Sequence, residues 1–174
     1  LSEILTHFKV MDTTTPYGNG HINDTFVADS TPRYILQRIN TAIFKNPDEL
    51  MENIERVTSH LREKIIANGG NPDRETLTVI KTVDNKPYYR AANGNCYRVY
   101  KFIEQTYPLD LPENPGQFES SAKAFGRFQN MLADYPGETL SETIPNFHNT
   151  KSRYNDLEEA IKNDVKGRVK DVLP

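Results

Sequence analysis

The chain has 174 residues, of which 21 are basic and 24 acidic, and 36% are hydrophobic. This length is enough for one domain or for a lobe and part of a second, and the near-balanced charge does not favour nucleic acid or a membrane surface as a partner. The single cysteine, Cys96, excludes an internal disulfide framework and suits a reducing cytoplasm. We find no secretory signal pattern and no apolar run of about 18 residues, so we expect a cytoplasmic protein without a membrane segment.

A glycine-rich turn near the N-terminus, Gly18-Asn19-Gly20-His21-Ile22-Asn23, leads into a segment that favours extended structure, Thr25-Phe26-Val27-Ala28. A dinucleotide-binding turn would instead open a helix, whose N-terminus holds the pyrophosphate. A Gly-x-Gly turn between two strands is how protein-kinase-like folds cover the phosphates of ATP. Glycine lets the backbone approach an anion, and Asn23 stands where a third glycine would be. A plain hairpin turn is the alternative for this turn taken alone.

The remaining elements of the first half are strands around one helix. We predict strands over 8–11, 25–28 and 34–39, with a polar stretch at 12–16. Asn46 as cap, Pro47 at the first helical position and Glu49 in a capping box predict a helix over 47–68. Its apolar residues recur at helical spacing and Gly69-Gly70 ends it; the stripe is Leu50, Ile54, Val57, Leu61 and Ile65.

Further strands are predicted over 76–83, 86–90 and 97–103, with turns at 84–85 and 92–95. A proline-rich connector follows over 106–116, and after it the sequence predicts only helices. One carries an apolar stripe of Phe118, Ala122, Phe125, Phe128 and Leu132. In the other, Asn155 and Glu158 form a predicted capping box, and the stripe is Leu157, Ile161, Val165, Val169 and Val172.

This order predicts an α+β fold in two parts. Residues 1–106 would form a protein-kinase-like N-terminal lobe, an antiparallel sheet of five or six strands plus one helix, which binds ATP. Residues 107–174 would form a hinge connector and the first helices of a truncated helical lobe.

Candidate nucleotide contacts follow the kinase pattern, in which an apolar strand residue lines the adenine and a cation two positions later binds the α/β-phosphates. Leu36 and Arg38 share one face of a strand and fit these roles, whereas Gln37 points away; a solvated arginine is the alternative. Glu55 lies nearest the edge of the helix stripe and is the predicted partner of Arg38, with a solvated helix face as the alternative. Phe102 would close the back of the adenine pocket, unless it is plain core.

Several ordered blocks of the chain resemble a known family: GNGHINDTF, YILQRIN, FKNPDELMENIERVTSHLR, YRVYKFIEQT, AFGRFQNML and TIPNFHNTKSR. They are similar to the N-terminal half of N-acetylhexosamine 1-kinases, in the aminoglycoside-phosphotransferase and choline-kinase-like superfamily. The resemblance implies phosphorylation of the anomeric hydroxyl of an N-acetylhexosamine, using ATP and Mg²⁺. The implied nucleotide-binding set is Gly18, Gly20, His21, Asn23, Thr25, Leu36, Arg38, Glu55, Phe102, Ile103 and Glu104.

The chain departs from this family in one decisive respect. The family's catalytic His-x-Asp and metal-binding Asp do not occur, because no histidine here is followed two positions later by aspartate. We therefore expect a fragment that does not catalyse by itself and whose Mg²⁺ ligands lie outside the chain. His148 has no second ligand at metal-site spacing. The apolar stripes of the last helices would favour self-association.

Other functions stay open at this point. The same lobe would serve a non-catalytic nucleotide-binding or regulatory module, or a kinase for another small alcohol of the choline or aminoglycoside type. Relatives labelled mucin desulfatases suggest a sulfatase. That function is disfavoured, because the segment Cys96-Tyr97-Arg98-Val99-Tyr100 lacks the Cys-x-Pro-x-Arg nucleophile pattern.

Overall fold

The computed structural model describes residues 1–10, 12–106, 109 and 111–172. It divides into two compact units, Leu1–Thr143 and Ile144–Pro174. The first contains α1 (Ser2–Thr6), β1 (Thr14–Pro16), β2 (Asp24–Ala28), β3 (Tyr34–Ile39), α2 (Pro47–Ala67), α3 (Pro72–Glu75), β4 (Val79–Ile80), β5 (Tyr89–Arg90), β6 (Cys96–Lys101), α4 (Pro115–Met131) and a 3₁₀ turn (Gly137–Thr139). The second contains α5 (Thr150–Asn163) and α6 (Val169–Val172).

The described strands form one six-stranded antiparallel sheet in the order β1-β2-β3-β6-β4, with β5 also paired to β6. The predicted α+β architecture, an antiparallel sheet with one long helix followed by helices, is therefore confirmed. The central strand β6 has its first five residues buried, as expected for a strand covered on both faces.

The two faces of the sheet pack against different elements, and we name them by those elements. On the α1 face, Leu36 and Val99 pack with Leu5, Phe8 and Val10. On the α2 face, the buried partners are Ile39, Cys96, Leu50, Met51 and Tyr88. Because side chains alternate along a strand, Arg38 belongs to the α1 face, and Gln37 and Arg98 belong to the α2 face.

Helix α2 forms where the sequence predicts it. The Asn46 side chain accepts hydrogen bonds from the amides of Asp48 and Glu49, Pro47 opens the helix, and Gly69 follows it with a φ of 72°. Leu61 and Ile65 of the predicted stripe are buried, together with Met51. Burial of such side chains contributes roughly 1.5–3 kcal/mol each, which holds the helix against the sheet.

Several predicted strands differ from the structure near the sheet edges. Residues 8–10 form a turn after α1, with Phe8 and Val10 buried and Lys9 at a φ of 57°; position 11 lies outside the described residues. The polar stretch 12–16 instead contains the edge strand β1. Pro16 is tolerated in β1 because an edge strand has a neighbour on one side only, so a backbone N–H on its open side is not needed for pairing.

The predicted strands 76–83 and 86–90 shrink to two residues each, and both pair with β6. Residues 81–88 loop out between them, and the loop is closed by the Thr82 amide, which donates to the Lys86 carbonyl at 2.8 Å. The sequence also did not predict α3, which Asn71 caps by accepting from the Asp73 amide at 3.0 Å. The last predicted strand ends at Lys101, two residues early.

The second unit contains a helix that begins earlier than predicted. Asn149 caps α5 by accepting from the Ser152 amide at 3.0 Å, so Asn155 lies inside the helix and is not its cap. The left-handed Asp164, with a φ of 37°, ends α5 before α6 begins. Among the described residues of both units, no helix is long and apolar enough to cross a membrane.

Candidate functional site

The glycine turn forms an exposed loop between two antiparallel strands. Residues 17–22 are solvent-exposed, and the loop is closed by the Tyr17 amide, which donates to the Thr25 carbonyl at 2.9 Å. Gly18 has a φ of 74°, and a Cβ built on Gly18 or Gly20 would meet no atom within 4 Å. Strand β2 follows at Asp24, with no helix at Gly20, so the predicted strand-turn-strand is confirmed. The backbone of this loop is free to approach a ligand.

Asn23 and Thr25 anchor the loop to the neighbouring strand β3. The Asn23 Oδ1 atom accepts from the Asn40 amide at 3.0 Å, just beyond the end of β3. The Thr25 Oγ1 atom accepts from the Gln37 side-chain amide at 3.0 Å. These two side chains therefore position the loop through hydrogen bonds to the sheet.

The predicted pairing of Arg38 with Glu55 is wrong. Arg38 binds Asp24, with its Nε atom 2.6 Å from Oδ2, whereas Glu55 forms an ion pair with Lys81. Arg38 lies on the α1 face, so no glutamate of α2 can reach it through the sheet. Leu36 is fully buried in the core of the α1 face, which is the face opposite α2.

On the α2 face, Gln37 and Arg98 form a polar pair that the sequence analysis did not select. The Gln37 Oε1 atom accepts from both Nε and Nη2 of Arg98, at 3.1 and 3.0 Å. Arg98 Nη1 lies 3.8 Å from the Met51 sulfur of α2, and its guanidinium lies 5.2 Å from the Tyr100 ring centre. Burial lowers the pKa of Arg98 from its ordinary value. The sequence signal that could have identified Arg98 is a charged residue within a run of otherwise apolar and aromatic residues.

The end of β6 is fixed by a compact set of contacts around Phe102. Its amide donates to the Arg33 carbonyl at 3.0 Å, and the Arg33 guanidinium lies 3.9 Å from the centre of its ring. The Phe102 ring also meets Tyr17, at the start of the glycine loop, edge to face at 5.7 Å. Phe102 is buried, and the contact with Tyr17 links this segment to the loop.

Glu104 is held by two arginines. Arg33 donates to its carboxylate from Nε at 3.0 Å and from Nη2 at 2.5 Å, and Arg74 donates to its backbone carbonyl at 2.7 Å. The hydrogen bond from Arg33 holds the pKa of Glu104 below its usual range, and Glu104 raises the pKa of Arg33 in turn. The Ile103 carbonyl accepts from the Thr106 hydroxyl at 2.8 Å. The backbone of residues 102–104 therefore has a defined conformation.

The described residues contain no group of three or more His, Cys, Asp or Glu side chains that could hold a metal ion. Magnesium needs oxygen ligands in near-octahedral geometry. The described side chains do not provide that ligand set, and we assign none of them to a magnesium site.

No protein-family model matches the chain. Among solved structures, the chain is similar to spectinomycin phosphotransferase, APH(9)-Ia, in complex with ADP and spectinomycin, with a TM-score of 0.42 and 15% sequence identity. The alignment covers 99% of this chain and 58% of that one, so the chain spans less than two thirds of that structure's length.

Proposed function

We propose that this chain provides the ATP-binding lobe of a small-molecule kinase. The observation that carries the proposal is the exposed glycine loop between β1 and β2, whose backbone is uncrowded at Gly18 and Gly20. A flexible loop of this kind covers nucleotide phosphates with backbone N–H groups. In this proposal Gly18, Gly20 and His21 face the phosphates, while Asn23 and Thr25 hold the loop to the sheet.

The adenine would bind along the backbone of residues 102–104. Within the described residues, neither the Phe102 carbonyl nor the Glu104 amide has a hydrogen-bond partner. An acceptor and a donor two residues apart match the hydrogen-bonding edge of adenine. Arg33 fixes this backbone by binding the carboxylate of Glu104, and Arg74 fixes it by binding the Glu104 carbonyl. These contacts support a pre-formed adenine site.

The proposed acceptor is the anomeric hydroxyl of an N-acetylhexosamine. This part rests on the ordered sequence blocks from GNGHINDTF to TIPNFHNTKSR, described above. We further propose that 1–106 forms the nucleotide lobe and that 107–174 forms the hinge connector and the first helices of a helical lobe. The groups that bind the acceptor and Mg²⁺ would lie outside this chain. The lone buried cysteine, Cys96, is consistent with a cytoplasmic site of action.

A phosphate-transfer screen tests this function. The protein encoded by the complete gene is incubated with Mg²⁺ and ATP labelled in the γ-phosphate, together with N-acetylglucosamine, N-acetylgalactosamine, unacetylated sugars, choline and an aminoglycoside. We expect label to appear at the anomeric position of an N-acetylhexosamine. Transfer only to choline or an aminoglycoside would keep the kinase and replace the acceptor, and no transfer to any of them would contradict the proposal.

A further inference from the structure

Arg98 is a buried cation whose charge is not balanced within the described part of the chain. Its side chain is 8% exposed, and it projects from the central strand β6 beneath α2. Its partners are an amide oxygen, a thioether sulfur and an aromatic ring, none of them a carboxylate. A buried charge without a counter-ion is costly, so folds rarely keep one unless an anion or a specific structural need accounts for it.

The hydrogen bonds of Arg98 connect it to the glycine loop. The Oε1 atom of Gln37 accepts from Nε and Nη2 along one edge of the guanidinium, and its Nε2 atom donates to the Thr25 hydroxyl. Thr25 lies on β2, whose first residue, Asp24, directly follows the loop. A chain of side chains thus runs across β2, β3 and β6, and it connects the strand that follows the loop to a positive charge on the α2 face of β6.

One end of the guanidinium meets only a weak acceptor within the described residues. In the part of the chain that the structure describes, the acceptor nearest to Nη1 is the Met51 sulfur, at 3.8 Å, and a thioether is a weak acceptor. A phosphate that reaches Nη1 would have to displace the Met51 side chain, which is fully buried but is unbranched and changes rotamer readily. The planar fork of arginine suits a phosphate group better than a point charge does.

We propose that Arg98 is the cation that binds the nucleotide phosphates, with Gln37 as its positioning residue. The inference rests on the proposed ATP-binding function and names the group that completes it. Arg38, the residue that the strand pattern favoured, is on the α1 face and is already neutralised by Asp24. Arg98 instead shares its face with α2 and contacts no carboxylate among the described residues.

Two variants test Arg98 from opposite directions. Arg98→Met removes the charge at similar volume. Gln37→Glu keeps the arginine and supplies the missing carboxylate internally, so the fold should gain thermal stability while the phosphate loses its site. Arg90→Met removes an arginine that is 52% exposed on the neighbouring strand β5, and Gln129→Glu adds a negative charge at an exposed position of α4; both serve as controls.

Each protein, labelled with ¹⁵N, is titrated at constant ionic strength with Mg·ATP, with sodium tripolyphosphate and with adenosine, and followed by NMR. In the unmodified chain we expect Mg·ATP and tripolyphosphate to shift the Arg98 Nε–H resonance and adenosine to shift the amides of residues 102–104. Arg98→Met and Gln37→Glu should raise the Kd for Mg·ATP and tripolyphosphate at least tenfold and leave the adenosine shifts in place. The controls should stay within twofold.

The outcomes separate this inference from the proposed function. If the unmodified chain binds Mg·ATP and both variants bind it equally well, Arg98 is a structural residue and the inference is overturned, while ATP binding stands. Loss of binding in Arg38→Met but not in Arg98→Met would also overturn it. If neither Mg·ATP nor adenosine binds but tripolyphosphate shifts Arg98, the anion site stands and the nucleotide function fails. If none of the three binds, both fail.

Discussion

Gly18 and Gly20 differ in the backbone that they require, although both lie in the same open loop. Gly18 has a φ of 74°, where a Cβ is strained, while Gly20 lies outside that region and has free space around it. We expect Gly18→Ala to lower the free energy of unfolding by about 1–2 kcal/mol and Gly20→Ala to change it by less than about 0.5 kcal/mol. Urea unfolding of both variants measures this difference.

The variants Gly18→Ala and Gly20→Ala also distinguish an effect on stability from an effect on ligand binding. A methyl group at Gly20 would limit how closely the loop backbone can approach the proposed phosphates, so Gly20→Ala should weaken Mg·ATP binding without a stability cost. If Gly20→Ala binds Mg·ATP as tightly as the unmodified chain does, this loop does not contact the phosphates as we propose.

Asp73 gives the first unit a pH-dependent contribution to stability. Its carboxylate accepts from Arg62 at 3.0 and 3.1 Å and from Lys101 at 2.8 Å, which ties α3 to α2 and β6. The hydrogen bonds from Lys101 and then Arg62 hold the pKa of Asp73 below its usual range. A carboxylate with a lowered pKa stabilises the fold above the unfolded-state pKa of about 4 and loses that stabilisation as the pH falls through its folded-state pKa.

We therefore expect the free energy of unfolding to decrease as the pH falls below about 4, and to decrease less steeply in Asp73→Asn. Urea unfolding at a series of pH values measures both slopes. Asp156→Asn, an exposed position of α5, is the matched control. An unchanged slope in Asp73→Asn would mean that these ion pairs do not contribute to acid unfolding.

At the scale of elements, the start of α2 is determined by the residues next to it, and the role of its cap, Asn46, can be tested. The Asn46 side chain accepts from the amides of Asp48 and Glu49, at 3.2 and 3.4 Å, which satisfies two donors at the helix start. Asn46→Ala should cost about 1 kcal/mol of unfolding free energy. Asn130→Ala, at an exposed position in the last turn of α4, should be neutral or slightly stabilising because alanine is the better helix former. Equal effects of the two substitutions in urea unfolding would contradict the capping role.

This contrast explains how far the sequence could predict the fold. The start and end of α2 are determined by adjacent residues, and the prediction was accurate within one residue. Strands β4 and β5 are determined by where β6 offers hydrogen bonds, and a loop of 81–88 between them leaves no periodic signal. Short strands that depend on a distant partner are therefore the ones that local patterns misjudge.

For the candidate site, too, the features that depend on adjacent residues were predictable and those that depend on packing were not. The glycine turn and the strand after it were correct because turn chemistry is local. Alternation along β3 correctly put Leu36 and Arg38 on one face and Gln37 on the other, but it cannot tell which face α2 will cover. Which face α2 covers depends on how the connection after β3 packs. Because α2 covers the face opposite Arg38, the proposed phosphate-binding arginine is Arg98 and not Arg38.

At the scale of the whole chain, the proposed nucleotide site offers few contacts. Each hydrogen bond of the loop backbone and of residues 102–104 would contribute roughly 1 kcal/mol, and the charged contact of Arg98 roughly 1.5–3 kcal/mol. Together they must offset several kcal/mol of association entropy. We expect a Kd for Mg·ATP of roughly a millimolar and no phosphate transfer by the 174-residue chain. Calorimetry and a labelled-phosphate assay check both. Micromolar affinity, or turnover with N-acetylglucosamine, would show that the chain is functional by itself.

The exposed apolar side chains of each unit predict self-association. On α4, Phe118 and Phe125 are 68% and 67% exposed, and in the second unit Leu157 and Val165 are 56% and 86% exposed. Apolar surface of this kind gains free energy when it is covered, at about 25 cal/mol per Å².

We expect the purified chain to sediment as a concentration-dependent mixture of monomer and larger species. Serine substitution of Phe118 and Phe125, or of Leu157 and Val165, should shift it towards monomer. Substitution of Lys123 by serine, at an exposed polar position of α4, is the control and should leave the distribution unchanged. A chain that remains monomeric at all concentrations would mean that these residues are exposed without forming an interface. An association that neither double variant reduces would place the contact on another surface.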